Sequence, residues 1–317
     1  MHITPLSAEL LPQAAAIFVR QLAALRQVVP SLPSHLEAPE RVLGLLQGIT
    51  QRNPGVAAVQ EDRLLGYMTW YLVDNFRATR RKAAYCPEWA HGVVDSGNPG
   101  LYRLLYKAAA PRWTEAGCQV HAMSLLAHDR PAIDTWFWNG FGLAVVDAVR
   151  PLTPLAHDAT PAFKIQRAGV ADIDLLASLD MEHRSHYSTP PTLMAAHPPL
   201  SRADFAEFLG QSKNRVWLAM QGAQVAGFLI LEASSFGAAD IVNSQTTIAI
   251  TGAYVRPAYR GQGAAAALLR AALSEAAQVG YERCSVDFES FNPEAAAFWP
   301  RYFTPVCYSL LRVPENW

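Results

Sequence analysis

The chain has 317 residues, a formal net charge of −1 and a hydrophobic share of 51%. This length favours two domains, each large enough to bury its own core. A near-neutral chain without runs of Lys or Arg does not suit nucleic acid, because such binders present a basic surface. The sequence shows neither a secretory leader nor an apolar run near the ~18 residues of a membrane span. The cysteines stand singly, as small core residues do. We therefore expect a cytoplasmic protein without nucleic-acid or membrane partners.

The N-terminal half begins with a short apolar segment at 3–6, followed by a helical pattern from Leu10 to Leu22. Residues 58–67 predict a β-hairpin, because an apolar run ends in Gln, a polar turn follows, and a second run opens with Gly66-Tyr67. A helix is predicted over 101–116.

The C-terminal half repeats this succession. Residues 219–228 match 58–67 position by position, and Gly227-Phe228 stands where the first half has Gly66-Tyr67. Asn292–Ala295 leads to Phe298-Trp299, as His128–Ala132 leads to Trp136-Phe137. Repeats of this length indicate duplicated domains and not a solenoid. The sequence predicts one domain at 1–150, a proline-punctuated linker at 151–162, and a second domain at 163–317.

The second half predicts a sheet packed by helices, of the α/β or α+β class. Gly280 is the expected stop of its longest helix. The predicted strands lie at 163–167, 215–221, 224–233, 246–255, 283–290 and 305–313. The predicted helices lie at 170–186, 201–210 and 261–279, with a further helix from Pro293.

The most informative segment joins the strand at 246–255 to the alanine-rich helix through Arg260-Gly261-Gln262-Gly263. The first turn of a helix has free N–H groups and the positive end of the macrodipole, so it binds phosphate. Glycine lets the backbone approach an anion closely, and Arg260 adds positive charge. The segment is not a Walker loop, which needs Lys-Ser/Thr, nor a dinucleotide fingerprint, whose third glycine would fall at Ala266.

With this string, residues 163–317 resemble the GCN5-related N-acetyltransferase (GNAT) superfamily, whose phosphate loop reads Gln/Arg-x-x-Gly-x-Gly/Ala. The resemblance implies two tandem domains, each a mixed, mostly antiparallel, twisted sheet flanked by helices, with a splayed pair of central strands. It also implies direct transfer from acetyl-CoA, as cosubstrate, to an amine, with no metal. The cofactor-binding residues that it implies are Ala253, Tyr254 and Val255 along the pantetheine arm, Arg260, Gly261, Gln262, Gly263, Ala264 and Ala265 at the pyrophosphate, and Asn292.

The sequence departs from the family where a tyrosine usually protonates the leaving thiolate. Trp299 holds that position, and its indole has an N–H donor but no acid that dissociates near neutral pH. We expect Trp299 to pack against the pantetheine or thioester end. Proton delivery then falls to Tyr302, Tyr308 or water.

Acyl transfer to an amine also needs a base that receives the proton of the ammonium group. Asp287 and Glu289 alternate along one predicted strand and share a face, so either could act as base or ammonium anchor, and an exposed strand face is the alternative. Glu289 is slightly favoured because it lies nearer Asn292. His183 and His186 share a helix face, which borders the acceptor pocket in the resembled family. We interpret them as pocket or surface residues and not as a metal site.

The first half predicts no second phosphate loop. Aligning Pro87 with Pro257 places Ala90 opposite Arg260, and no Gly-x-Gly follows. The later turn before the 101–116 helix contains Pro99, which lacks an N–H, and Asp95 has the wrong charge. A degenerate copy is the simplest hypothesis. A non-catalytic acyl-CoA-binding sensor and an interaction protein remain alternatives, the acceptor is open, and either a monomer or a homodimer is compatible with the sequence.

Overall fold

The computed structural model describes residues 1–155, 163–196 and 198–315, so most of the expected linker (156–162) lies outside the described residues. Within those ranges, no helix is both long and apolar enough to cross a membrane. The helices are α1 (Leu11–Val28), α2 (Pro39–Thr50), α3 (Pro99–Glu115), α4 (Arg130–Trp138), α5 (Ile173–Ser188), α6 (Arg202–Gly210), α7 (Ala264–Gln278) and α8 (Pro293–Phe298). The strands are β1 (His2–Pro5), β2 (Val56–Gln60), β3 (Arg63–Met68), β4 (Tyr71–Val73), β5 (Ala83–Cys86), β6 (His91–Val93), β7 (Val120–Leu126), β8 (Gly142–Pro151), β9 (Lys164–Arg167), β10 (Arg215–Gln221), β11 (Gln224–Glu232), β12 (Thr247–Val255), β13 (Arg283–Glu289) and β14 (Thr304–Arg312).

The chain folds into two compact units that are not simply its two halves. The first unit consists of Met1–Asp147, Ala239–Ile241 and the segment from Thr304 onward. The second unit consists of Ala148–Ala238 and Val242–Phe303. Each unit therefore contains a β-sheet and its covering helices, but the strand β14 belongs to the first unit.

The first unit has strands β1, β2, β3 and β6 in one antiparallel run. The strands β4, β5, β7 and β14 follow one another in a second run, in which β5 and β7 are parallel. Its core is aromatic and lies around α3 and α4. The Trp136 ring is fully buried, with its centroid 5.5 Å from that of Tyr102 and 5.0 Å from that of Phe141. Tyr106 lies 5.5 Å from the same ring. These tilted and edge-on aromatic contacts fill the interior of the unit.

The strand β14 pairs antiparallel with β7, with Cys307 opposite Leu126. The sequence predicts this strand as the end of the second copy, and the structure places it in the first unit. The reason is that an alternating apolar pattern fixes which face of a strand is buried, but not which neighbouring strand it joins.

The second unit is an antiparallel run of β9, β10, β11 and β12, to which β13 is added in parallel after the α7 crossover. The predicted elements of this half match the structure closely. The hairpin β10–β11 starts at the predicted residues, and Gly280 follows α7 with a φ of +94°. Gly227 is required where β11 passes β12, because a Cβ there would lie 2.2 Å from the carbonyl oxygen of Tyr254.

The hairpins β2–β3 and β10–β11 share an irregularity. The register shifts between Ala58 and Val59 in the first unit and between Ala219 and Met220 in the second. These are the same positions in the sequence alignment of the two hairpins. A β-bulge is a specific local feature, so its recurrence at matched residues supports the duplication.

Candidate functional site

The second unit opens between two adjacent strands. β12 and β13 pair in parallel from Thr247 opposite Arg283 to Ile250 opposite Val286, and in the described sheet the register ends there. The ladder between β11 and β12 is also irregular at this point, since Ile230 faces Gly252 while Leu231 faces Ile250. Thr251 is therefore the extra residue of a bulge, and β12 diverges from β13 beyond it.

A cavity of about 480 Å³ lies at this opening. Its wall is formed by the diverging part of β12, the first turn of α7, the end of α5, and α8 with the residue that caps it. All of these elements belong to the second unit.

The first turn of α7 contributes open backbone to this wall. Gly263 is the N-cap residue, with φ of +88°, and no side chain caps the helix there. Gly261 also has a positive φ, +74°. A Cβ built on either glycine meets no atom of the described residues within 4 Å. The positive end of a helix with unoccupied amides therefore faces the cavity, which suits a diphosphate.

The side chains around this turn are engaged elsewhere. Arg260 forms an ion pair with Glu294, and its Nε donates to the carbonyl of Val255 at 3.1 Å. Gln262 donates through Nε2 to the carbonyl of Ala258 at 2.8 Å. The attraction for an anion therefore comes from the backbone amides, whereas the charge of Arg260 is balanced by its carboxylate partner.

The cap of α8 contributes the opposite part of the wall. Asn292 is buried, and its Oδ1 accepts from the backbone N–H of Ala295 at 3.3 Å. Trp299 also lines the cavity, and its ring packs 4.9 Å from Phe298. Both residues thus lie where the sequence predicts cofactor contacts.

The structure separates the two tyrosines predicted as proton donors. Tyr302 lines the cavity and packs 4.9 Å from Phe298. Tyr308 lies in β14 and packs against the aromatic core of the first unit. Of the two, Tyr302 is the residue that a ligand in the cavity can reach.

The two predicted carboxylates also differ. Asp287 lines the cavity and is half-buried, while Glu289 is 9% exposed and is not among the described lining residues. Both lie near Tyr187. Burial, then the charge of Glu289, raises the pKa of the Tyr187 phenol to about 12. The hydrogen bond with Asn292 lowers this pKa and the charge of Asp287 raises it, each by a smaller amount.

The α5 wall holds groups for which the sequence gave only weak signals. His183 and His186 line the cavity, as their position predicts, together with Tyr187. Burial lowers the pKa of His183 to about 4, so its imidazole is neutral at pH 7. The sequence gives no signal that Thr251 contributes to the site, because a strand pattern does not predict at which residue a bulge occurs. Within the described ranges, no cluster of three or more His, Cys, Asp or Glu side chains could hold a metal ion.

The matching turn of the first unit is closed. Gly66 faces Val93 there, as Gly227 faces Val255 in the second unit, so Val93 is the counterpart of Val255. The alignment of Pro87 with Pro257 is therefore wrong. The reason is that Pro87 precedes β6, whereas Pro257 follows β12, so the two prolines lie at opposite ends of the corresponding strands.

Side chains occupy the amides that follow Val93. The carboxylate of Asp95 accepts from Gly97 N–H at 3.0 Å, and the side chain of Asn98 accepts from Gly100 N–H at 3.0 Å. Pro99, the first residue of α3, has no N–H to offer. The start of α3 thus lacks the open amides found at the start of α7.

The model of the acetyltransferase (GNAT) family matches residues 180–303, which include the whole lining of this cavity. The match covers 124 of the 317 residues and concerns this region of the chain. No curated protein sequence matches the chain.

Two solved structures resemble nearly the whole chain. A GCN5-related N-acetyltransferase from Sphaerobacter thermophilus is 13% identical, with 99% of this chain and 96% of that chain covered and a TM-score of 0.58. A fungal multi-domain β-N-acetylglucosaminidase with a GCN5-related glucosamine N-acetyltransferase region is 15% identical, with 98% of this chain and 38% of that chain covered and a TM-score of 0.54. At these identities the likeness concerns the fold alone. The expected mixed, mostly antiparallel GNAT-like architecture with a splayed central strand pair is confirmed.

Proposed function

We propose that the second unit is an N-acetyltransferase that transfers an acetyl group directly from acetyl-CoA to an amine. The observation that carries the proposal is the uncapped start of α7, which faces a cavity between splayed strands. The residues present fit the cofactor, because the positions where a diphosphate would approach Gly261 and Gly263 are open space. Acetyl-CoA, when bound, supplies an acyl group activated as a thioester.

Three parts of the wall would hold the cofactor. The amides of Gly261–Ala265 suit the pyrophosphate. The backbone of Ala253–Val255, which has left its register with β13, has hydrogen-bonding groups to offer the amides of the pantetheine arm. Asn292 and Trp299 lie on the remaining side and restrict the access of water.

We assign the proton transfers to the residues that line the cavity. Asp287 anchors the ammonium group of the acceptor and accepts its proton. We prefer it to Glu289 as the base because Asp287 lines the cavity, whereas Glu289 is more buried. Tyr302, and not Tyr308, is placed to donate a proton to the leaving sulfur. A thiol with a pKa of ~8.5 leaves with little acid assistance, so most of the rate comes from positioning the reactants.

The first unit then acts as a degenerate copy that does not bind the cofactor. This assignment is supported by the side chains of Asp95 and Asn98, which accept hydrogen bonds from amides of its turn, and by Pro99, which has no N–H. We retain a duplication between 1–150 and 163–317 as the origin of the chain.

The test compares two alanine substitutions at the two ends of α7. Gly263→Ala places a methyl group beside the proposed diphosphate and also strains a backbone at φ +88°. Gly280→Ala introduces a similar strain at φ +94°, also with nothing within 4 Å, but at the far end of the helix. We expect Gly263→Ala to weaken acetyl-CoA binding by about tenfold or more, and Gly280→Ala to leave it within about twofold, by titration calorimetry.

Equal affinities in the two variants would refute the cofactor site. If acetyl-CoA binds as expected but no thiol is released with any amine in a broad panel, the chain is an acyl-CoA-binding sensor and not an enzyme. If acetyl-CoA does not bind at all, the interaction-protein alternative stands.

A further inference from the structure

Two polar atoms in the cavity wall are buried without a hydrogen-bond partner among the described residues. They are Nε2 of His183 and Oγ1 of Thr251. A buried polar atom that makes no hydrogen bond costs ~1–3 kcal/mol, so native proteins rarely keep one without a purpose. Two such atoms in one cavity point to a ligand that completes their hydrogen bonds.

His183 is held in an aromatic environment. Its ring lies 4.9 Å from that of Tyr187, 5.6 Å from Phe228 and 5.8 Å from Tyr254. Of the charged neighbours on its own helix, Asp180 raises its pKa while His186 and Arg184 lower it, and burial has the largest effect. A neutral imidazole in such a setting suits an uncharged hydrogen-bonding group.

The wall that contains His183 is distinct from the wall proposed to hold the diphosphate. His183 comes from α5, and Thr251 comes from the bulge where β12 begins to diverge, whereas the open amides come from the start of α7. With the cofactor on the amides, the α5 side is left for the acceptor.

The arginines of the cavity do not favour an anionic acceptor. Arg260 is paired with Glu294, and Arg301 is exposed on the short turn Trp299–Arg301. A carboxylate or phosphate brought against the neutral imidazole of His183 would lose hydration without gaining a charge partner from that side chain.

We propose that His183 and Thr251 form a polar subsite for the acceptor, and that the acceptor is a primary amine that carries a hydroxyl group. The hydroxyl hydrogen-bonds Nε2 of His183 and Oγ1 of Thr251, while the amine faces the thioester. This inference rests on the proposed function and names the substrate class of the same site.

The experiment measures kcat/KM for the full chain with acetyl-CoA, from thiol release, over three series of linear amines. The probes are amino alcohols from ethanolamine to aminohexanol, the alkylamines in which a methyl group replaces each hydroxyl, and the corresponding amino acids with a terminal carboxylate. At the best chain length we expect the amino alcohol to exceed both analogues by about tenfold or more. The alkylamine leaves two buried atoms unpaired, and the carboxylate loses its hydration on burial.

Two substitutions remove the polar atoms but keep the shape. His183→Phe and Thr251→Val should each reduce the preference for the hydroxyl to about threefold or less, with acetyl-CoA affinity unchanged within about twofold. Matched controls are His128→Phe and Thr192→Val, since each removes a buried unpartnered atom that does not line the cavity. Both controls should keep the full preference. Thermal unfolding verifies that each variant folds. If His183→Phe does not fold, the result for Thr251→Val alone decides the test.

The proposal is overturned if the preference survives in His183→Phe and Thr251→Val, or if alkylamines or carboxylates react as well as amino alcohols. Absence of turnover with every amino alcohol, while alkylamines or amino acids release thiol, also overturns it. Failure of the proposed function is a different result, since acetyl-CoA would then bind independently of Gly263 or no amine of any series would release thiol.

Discussion

The two units of this protein place a tryptophan at corresponding positions and use it in different ways. Asp129 caps α4 by accepting from Ala132 N–H at 3.2 Å, as Asn292 caps α8 by accepting from Ala295 N–H at 3.3 Å. Trp136 and Trp299 stand at the same distance beyond these caps. Trp136 is sealed in an aromatic core, whereas Trp299 faces a cavity.

The helices beside these tryptophans explain the difference. The first turns of α3 carry Leu101, Tyr102 and Leu105, which are buried and fill the space. The first turn of α7 carries Ala264, Ala265 and Ala266, which line the opening and leave it empty. One scaffold therefore encloses a packed core or an open cavity according to the size of a few side chains on one helix.

The largest test of this comparison removes each tryptophan. We expect Trp136→Ala to lower the free energy of unfolding of the first unit by about 3–5 kcal/mol, because it empties a packed core. Trp299→Ala should cost roughly half of that or less, since one side of its ring already faces the cavity. Hydrogen exchange followed by mass spectrometry assigns each loss to its unit. Equal losses would contradict the contrast between a closed and an open unit.

A buried carboxyl group in the first unit, that of Glu88, makes the stability of the fold depend on pH. Glu88 is sealed in the first unit, where its Oε1 accepts from Ile241 N–H at 3.0 Å. Burial, and then the charge of Asp240, raise the pKa of Glu88 well above its ordinary value. Between the unfolded and folded pKa values, the folded state retains a proton that the unfolded state has released, so stability falls as the pH rises through that range.

We therefore expect Glu88→Gln to become progressively more stable than the wild type between about pH 5 and about pH 8, by ~1.4 kcal/mol for each unit of pKa shift removed. Urea denaturation followed by circular dichroism at several pH values measures this difference. If the difference in unfolding free energy between Glu88→Gln and the wild type does not change with pH, Glu88 is not held protonated in the folded state.

The smallest test concerns the helix starts. Asn98→Ala should destabilise the first unit by about 1 kcal/mol, because the cap of α3 is lost, while Asn98→Ser should cost a few tenths of that amount. Hydrogen exchange at the first turn of α3 reports both effects. Gly263 at the start of α7 has no side-chain cap to lose, so the two starts differ in what their amides are free to bind.

Much of the second unit could be predicted from the sequence, because its signals are local. The hairpin β10–β11, the stop at Gly280 and the glycine turn before α7 depend on residues that are close together in the chain. The helix that begins at Pro293 is predicted in the same way, because Pro is favoured at the first position of a helix.

The remaining features depend on contacts that one strand or helix does not reveal. Val93 is the counterpart of Val255, which the pairing of β3 with β6 reveals and the proline positions do not, and β14 joins a strand of the first unit. Asp287 and Glu289 share a predicted face, yet the cavity wall includes Asp287 and not Glu289. Whether His183 and Thr251 have partners is decided only when the surrounding side chains are in place.

The position of β14 has a consequence for how the nascent chain matures. The hydroxyls of Ser124 on β7 and Ser309 on β14 lie 2.8 Å apart, although 185 positions separate them in the chain. At ~5–20 residues per second, a ribosome takes roughly 10 to 40 s to traverse that interval. During this time the edge of β7 has no β14 strand to pair with. The first unit, whose synthesis begins first, therefore cannot complete its sheet until β14 has been made.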